Sequence, residues 1–136
     1  MIFTHCDADH INGFETLAAR LPVGAVILPP AQFCDADGRE NILNVAQAHG
    51  VDVLASRAQM EIELDRAQLR IIPPVRAGTN SGLCVLGTAG DFDVLLTGDL
   101  DAAGERALLQ RTALPDIELL IAGHHGSKNA TSAALL

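Results

Sequence analysis

His5, Asp7, Asp9 and His10 fall together in the stretch HCDADH, near the start of a chain of 136 residues. Imidazole and carboxylate groups are ligands for Zn, Mn or Fe, so a stretch that carries both is a candidate metal site. A second pair, His124 and His125, lies in GHHGS, and Asp99 closes LLTGD between the two clusters. Each of the three stretches follows a run expected to be a strand. Strand ends hold side chains rigidly while letting distant segments converge on one point. Two ions held together need many ligands and a carboxylate able to bridge them, and Asp99 is placed for that role. An Asp-rich turn or a surface histidine pair explains any one of these stretches alone. It does not explain three of them, each at a strand end.

The letters CDAD occur twice, at residues 6–9 and again at 34–37. The second copy has no histidine and is followed by Gly38. That glycine comes too early for a calcium-binding EF-hand loop, and no glutamate stands at its twelfth position. Its aspartates are expected to cap a following helix. The metal signal is therefore HxDxDH after a strand, not CDAD.

The elements that must position these residues follow from pattern. Residues 1–4 are apolar and β-prone. Residues 13–21 carry Phe14, Leu17, Ala18 and Leu21 at helical spacing. Residues 23–30 read as a buried strand stopped by Pro29 and Pro30. Residues 37–50 form a helix capped by Asp37 or a neighbour, with Ile42, Leu43, Val45 and Ala46 as its apolar stripe and Gly50 past its end. Residues 51–55 are a short strand, and 60–64 and 68–72 alternate as an antiparallel pair. Residues 81–99 hold two strands with a turn near Gly90. A helix over 101–113 takes Asp101 as N-cap. Residues 116–127 read as a buried strand ending in a His-Gly loop, and a last helix is expected from about Thr131. The sum is one domain over 1–136, of layered α/β (α+β) class.

Composition bounds the partners. Hydrophobic residues make up 49% and aromatics 3%, so the core is aliphatic. The net charge of -8 argues against passive binding to nucleic acid or anionic lipid, which needs a basic patch, but not against an enzyme whose ions supply positive charge. Cys6, Cys34 and Cys84 form no metal-like pair and read as free thiols, favouring a reducing, cytoplasmic setting. The sequence has no apolar run long enough to span a membrane and no signal-peptide pattern.

THCDADHINGF resembles the HxHxDH signature of the metallo-β-lactamase superfamily, with Asp7 where that pattern has its second histidine. With LLTGD and GHHGSK in the same order, the chain resembles the metallo-β-lactamase-like domain of ComEC-type DNA-uptake proteins. The resemblance implies an αββα sandwich and up to two divalent ions per chain, Zn or Mn. It implies that His5 and Asp7 hold one ion, that Asp9 and His10 hold the second, and that Asp99 bridges them. One histidine of HHG completes the second site: His124, which ends the strand, with His125 as the fallback. Asp7 in place of an imidazole shifts preference towards Mn or Mg. His49, at a helix C-terminus, is read as structural. Asn80 and Ser81 border the first ion. Asp9 is also expected to orient the attacking water. Ser127 and Lys128 are candidates to bind a substrate phosphate.

The activity implied is hydrolysis, with phosphodiesters of nucleic acid favoured. Lactone, thioester or lactam hydrolysis is an alternative, since fold does not fix substrate. A degenerate, non-catalytic metal-binding domain is another. The family pattern has strands ahead of the first motif and further strand and helix after HHGS. The chain is thus expected to be a partial domain lacking both ends. Its uncovered sheet edge is expected to pair with another copy as a homo-oligomer.

Overall fold

The computed structural model describes residues 1–75 and 81–136, so Asn80 lies outside the described residues. The N-terminus pairs less than its letters suggest. Ile2 makes one parallel bridge to Ile27, held by Phe3 N–H to Ile27 O at 3.0 Å and Ile27 N–H to Met1 O at 2.9 Å. The chain then enters α1 (Ala8–Ile11), a single turn that starts within the HCDADH stretch and that the sequence does not predict. Its N-cap, Asp7, makes no capping hydrogen bond, and one turn is too short to show a period. α2 (Phe14–Ala18) stops short of the expected residue 21. Leu21 is 54% exposed, so no burial holds a further turn. Phe14 is buried and meets Phe3 edge-on, with ring centroids 5.3 Å apart.

β1 (Ala25–Leu28) is buried along Val26, Ile27 and Leu28, and the prolines that follow end it. Parallel neighbours need a crossover, and α3 (Ala36–His49) provides it. The Asp35 carboxylate accepts from Gly38 N–H at 2.8 Å as its N-cap. Gly50 closes it in the left-handed conformation at φ 67°. Ile42 and Ala46, one turn apart, are buried against Phe3, Cys6, Phe14 and Val26. β2 (Asp52–Ala55) then lies parallel to β1, Ala25 opposite Asp52.

The second sheet starts with β3 (Met60–Glu63) and β4 (Gln68–Ile72), antiparallel as the alternation predicts. β5 (Cys84–Ala89) and β6 (Phe92–Leu96) extend it through a two-residue turn with Gly90 at φ 61°. α4 (Ala102–Arg111) carries the chain across, capped by Asp101, which accepts from Ala103 and Gly104 N–H. β7 (Leu119–Ile121) returns parallel to β6, giving the order β3-β4-β5-β6-β7.

Two expectations at the C-terminus fail. β7 is not buried: Leu119 and Ile121 are 44% and 45% exposed, because this strand ends the sheet order and pairs only with β6. No helix starts at Thr131 either; residues 127–136 are turns and bends apart from unassigned positions. Thr131 sits at φ 55°, and the buried Glu105 carboxylate of α4 accepts its N–H and that of Ser132. Those donors are committed to α4 rather than to a new helix.

Backbone contacts gather the motif loops. Thr4 O accepts from Leu83 N–H at 2.6 Å, and Gly98 O accepts from His124 N–H at 3.0 Å. Gly98 has φ 56°, and a Cβ there would lie 2.9 Å from Thr4 Cβ. Only glycine allows both the conformation and the approach.

Candidate metal centre

The three loops bring four imidazoles onto one carboxylate. Asp99 Oδ2 is 3.6 Å from His5 Nε2, 3.8 Å from His124 Nε2 and 3.9 Å from His125 Nε2. Asp99 Oδ1 is 3.6 Å from His10 Nε2. Further out, His125 Nε2 stands 3.3 Å from Asp9 Oδ2 and 3.2 Å from His10 Nε2. Two groups of converging ligand atoms result, His5 with His10 and Asp99, and Asp9 with His10 and His125, each within 4.8 Å. His10 belongs to both.

These separations suit ions better than hydrogen bonds. Contacts of 3.6–3.9 Å are too long for hydrogen bonds. Two donors each about 2.1 Å from one tetrahedral ion stand about 3.4 Å apart. His5 Nε2 is buried with no hydrogen-bond partner. Leaving such a group unsatisfied is costly, and a cation between it and Asp99 would satisfy it. The other ring nitrogen, His5 Nδ1, is 2.9 Å from Thr4 Oγ1. With Nδ1–H donating to that hydroxyl, Nε2 keeps its lone pair for a metal. Thr4 was missed in the sequence reading, although it stands directly before the first histidine. Thr4→Val keeps the shape and removes the acceptor. It is expected to weaken Zn binding about 10–100-fold, read by competition with a chromophoric chelator. Unchanged affinity would show that Thr4 does not orient the ring.

Protonation favours ligand chemistry. Burial, then the neighbouring His10, holds the His5 imidazole below its ordinary value of 6.5, with Asp99 pulling the other way. His5 is therefore neutral at pH 7, as a metal ligand must be. Slight desolvation of Asp9 is outweighed by its own backbone N–H and by His10 and His125, which hold its carboxyl below the usual range. The His5 shift has a consequence for stability. Below pH 6.5 the unfolded chain takes up a proton that the folded chain refuses, so the unfolded state binds more protons there. This contribution is present above pH 6.5 and is lost as pH falls through the folded value. Urea melts of metal-free protein at pH 5.5 and 7.5 are expected to show it, and His5→Ala to reduce the difference.

The remaining candidates are placed as follows. Asp7 is exposed at the N-cap of α1, outside both converging groups. His124 and His125 occupy consecutive left-handed positions, φ 49° and 53°. Such backbone costs energy in non-glycine residues and is held here by Gly98 O and the turn that follows. His125, ranked second from sequence, is the one whose Nε2 meets Asp9 and His10. Ser127 Oγ accepts from Asn129 N–H at 3.3 Å, and Lys128 is exposed beside a shallow cavity with Asp101, Asn129 and Thr131. Ser81 is half-buried and lines a cavity of about 580 Å³ together with Arg57, Leu100 and Arg111. His49 is exposed in the last turn of α3 and belongs to neither converging group.

The model of the Metallo-beta-lactamase superfamily matches residues 1–136. "ComE operon protein 3" of Bacillus subtilis (strain 168) is 29% identical over 96% of this chain and 17% of its own length. "Recombination protein 2" of Haemophilus influenzae is 32% identical over 100% of this chain and 16% of its own. "Competence protein ComA" of Neisseria gonorrhoeae is 28% identical over 100% and 18%. The chain thus spans 16–18% of the length of these relatives. Among solved structures, CmlA, a diiron beta-hydroxylase from Streptomyces venezuelae, matches with a TM-score of 0.55 at 18% identity, over 88% of this chain and 24% of its own. That likeness concerns the fold alone.

Proposed function

The chain belongs to the metallo-β-lactamase superfamily, and from that membership and its clustered side chains we propose a metal-dependent hydrolase domain acting on phosphodiesters of nucleic acid. The observation that carries the reading is the Asp99 carboxylate within 4 Å of four imidazole Nε2 atoms. His5, His10 and Asp99 would hold one divalent ion, Zn or Mn; Asp9, His10 or Asp99, and a histidine of the HHG turn would hold the second. Asp7 is assigned to the His5 side by the family resemblance alone. When bound, such ions supply Lewis acidity towards phosphate oxygens and lower the pKa of a water.

The chain's own groups do the rest. Asp99, within 4 Å of all four rings, would bridge the two ions. Asp9, 65% exposed and beside His10 and His125, faces the open side, where it accepts a hydrogen bond from the attacking water. Arg57 and Arg111 line the 580 Å³ cavity that reaches Ser81 and Gly82, and a Cβ on Gly82 would lie 3.7 Å from His5 Cβ. In a chain of net charge -8, Arg57 and Arg111, offset by one carboxylate at Asp101, give this cavity an excess of positive residues that supports an anionic substrate. Relatives named for competence and recombination point to DNA as the phosphodiester.

The test supplies Mn or Zn and offers bis(p-nitrophenyl) phosphate and single-stranded DNA beside a lactone, a thioester and a lactam. Metal-dependent cleavage of the phosphodiesters supports the proposal. Cleavage only of the other classes replaces the substrate, and tight metal binding without turnover of any leaves a binding domain. Among the described residues, no helix is long and apolar enough to cross a membrane. The exposed β7 edge supports self-pairing of the chain; light scattering that returns a monomer at micromolar concentration would remove that part.

A further inference from the structure

Three non-glycine residues among those described take positive φ, and all lie in one short segment: His124 at 49°, His125 at 53° and Thr131 at 55°. Such backbone is costly, above all for a β-branched residue such as threonine, and it persists only where its surroundings hold it. Gly98 O holds the front of this segment through His124 N–H, and α4 holds its back. Glu105 is completely buried in α4, and a buried carboxyl group needs partners. One of its oxygens accepts Thr131 N–H and the other accepts Ser132 N–H at 2.8 Å. In the first turn of the same helix, Ala102 N–H donates to Asn129 O at 2.9 Å. The Thr131 hydroxyl then reaches back across the loop and accepts Gly123 N–H at 3.1 Å. Gly123 is buried and directly precedes His124. A Cβ on it would lie 2.9 Å from Thr97 Oγ1 and 3.2 Å from Gly98 O, so it sits tight against the loop that carries Asp99.

We propose that Glu105 and Thr131 are positioning residues for the HHG turn. Glu105 fixes the Thr131 backbone at its positive φ, the Thr131 hydroxyl fixes Gly123, and Gly123 sets where the His124 and His125 rings enter the centre. α4 starts at Ala102, just beyond Asp99. The clamp therefore ties the placement of the two rings to that of the carboxylate they face. Both residues act through the backbone, not as ligands. The inference rests on the reading of this turn as part of the metal centre, and adds the device that holds it there.

The test compares wild type with Thr131→Val, Thr131→Ser and Glu105→Gln. Valine keeps the shape and removes the acceptor, serine keeps the hydroxyl, and glutamine leaves one oxygen for two N–H donors. In metal-free protein, Gly123 amide exchange followed by NMR is expected to be about tenfold faster in Thr131→Val and Glu105→Gln, and unchanged in Thr131→Ser. In competition with a chromophoric chelator, the same two variants are expected to bind Zn about tenfold more weakly, and their Co-loaded forms to shift the visible absorption bands. Thr131→Ser is expected to match wild type in both. Unchanged Gly123 exchange in Thr131→Val would overturn the proposal. So would faster exchange with Zn affinity and Co spectrum unchanged, or a serine variant as weak as the valine one. If Glu105→Gln does not fold, the two threonine variants decide. If wild type binds no Zn, the metal reading falls and the exchange measurement alone decides whether the clamp holds the turn.

Discussion

Asp99→Ala is expected to abolish paired metal binding and to lower phosphodiester hydrolysis by about a thousandfold or more, with the fold retained. The reason is its central position. Its two oxygens face His5, His10, His124 and His125, so one substitution removes the anionic partner common to all four. What remains near His10 and His125 is Asp9, which is exposed and free to turn towards solvent. Four imidazoles hold two divalent ions poorly without a shared carboxylate. The stability cost is small by comparison, because Asp99 lies in a loop beyond β6 and lends no apolar surface to the core. Its removal should change the metal-free unfolding free energy by no more than about 1 kcal/mol. Metal analysis after gel filtration, with urea melts of the same samples, reads both effects. An Asp99→Ala protein that kept two ions per chain would show that the carboxylate is not the bridge.

Gly38→Ala is the second large effect, and here intrinsic propensity points the wrong way. In an exposed helix, alanine is better than glycine by about 1 kcal/mol. At this position the added methyl would sit 1.8 Å from Cys6 O and 2.9 Å from Cys6 C. Both are backbone atoms, which cannot rotate aside as a side chain can. Either α3 retreats from the loop or the loop moves, and His5 is the next residue along it. A loss of about 3 kcal/mol or more is expected, together with weaker Zn binding by any molecules that fold. Gly24→Ala is the control, since a Cβ there meets nothing within 4 Å. Equal, small effects of the two substitutions would contradict the packing of α3 on the ligand loop.

Much of this was legible in the sequence, for local reasons. Uninterrupted apolar letters marked β1. Alternation marked β3 and β4, and short polar side chains and glycines marked both ends of α3 and the start of α4. The candidate ligands were visible as residue types, because few functions besides metal binding place histidine and aspartate together after strands. What stayed hidden depends on contacts between distant residues. LLI in β7 reads as buried, but burial depends on what lies beside a strand, and β7 ends its sheet. The helix expected at Thr131 is forestalled by Glu105, a carboxylate 26 residues away. His124 and His125 both take left-handed backbone, which no sequence pattern announces. Thr4 was readable only once the His5 ring had an orientation.

In the proposed site Asp99 would join two ion positions. X-ray absorption at the Zn edge, on protein loaded to saturation, tests it most directly. The expected result is two ions per chain in a mixed nitrogen and oxygen shell, with a metal–metal vector at about 3.5–4 Å that disappears in Asp99→Ala. One ion per chain with no metal–metal vector would contradict it.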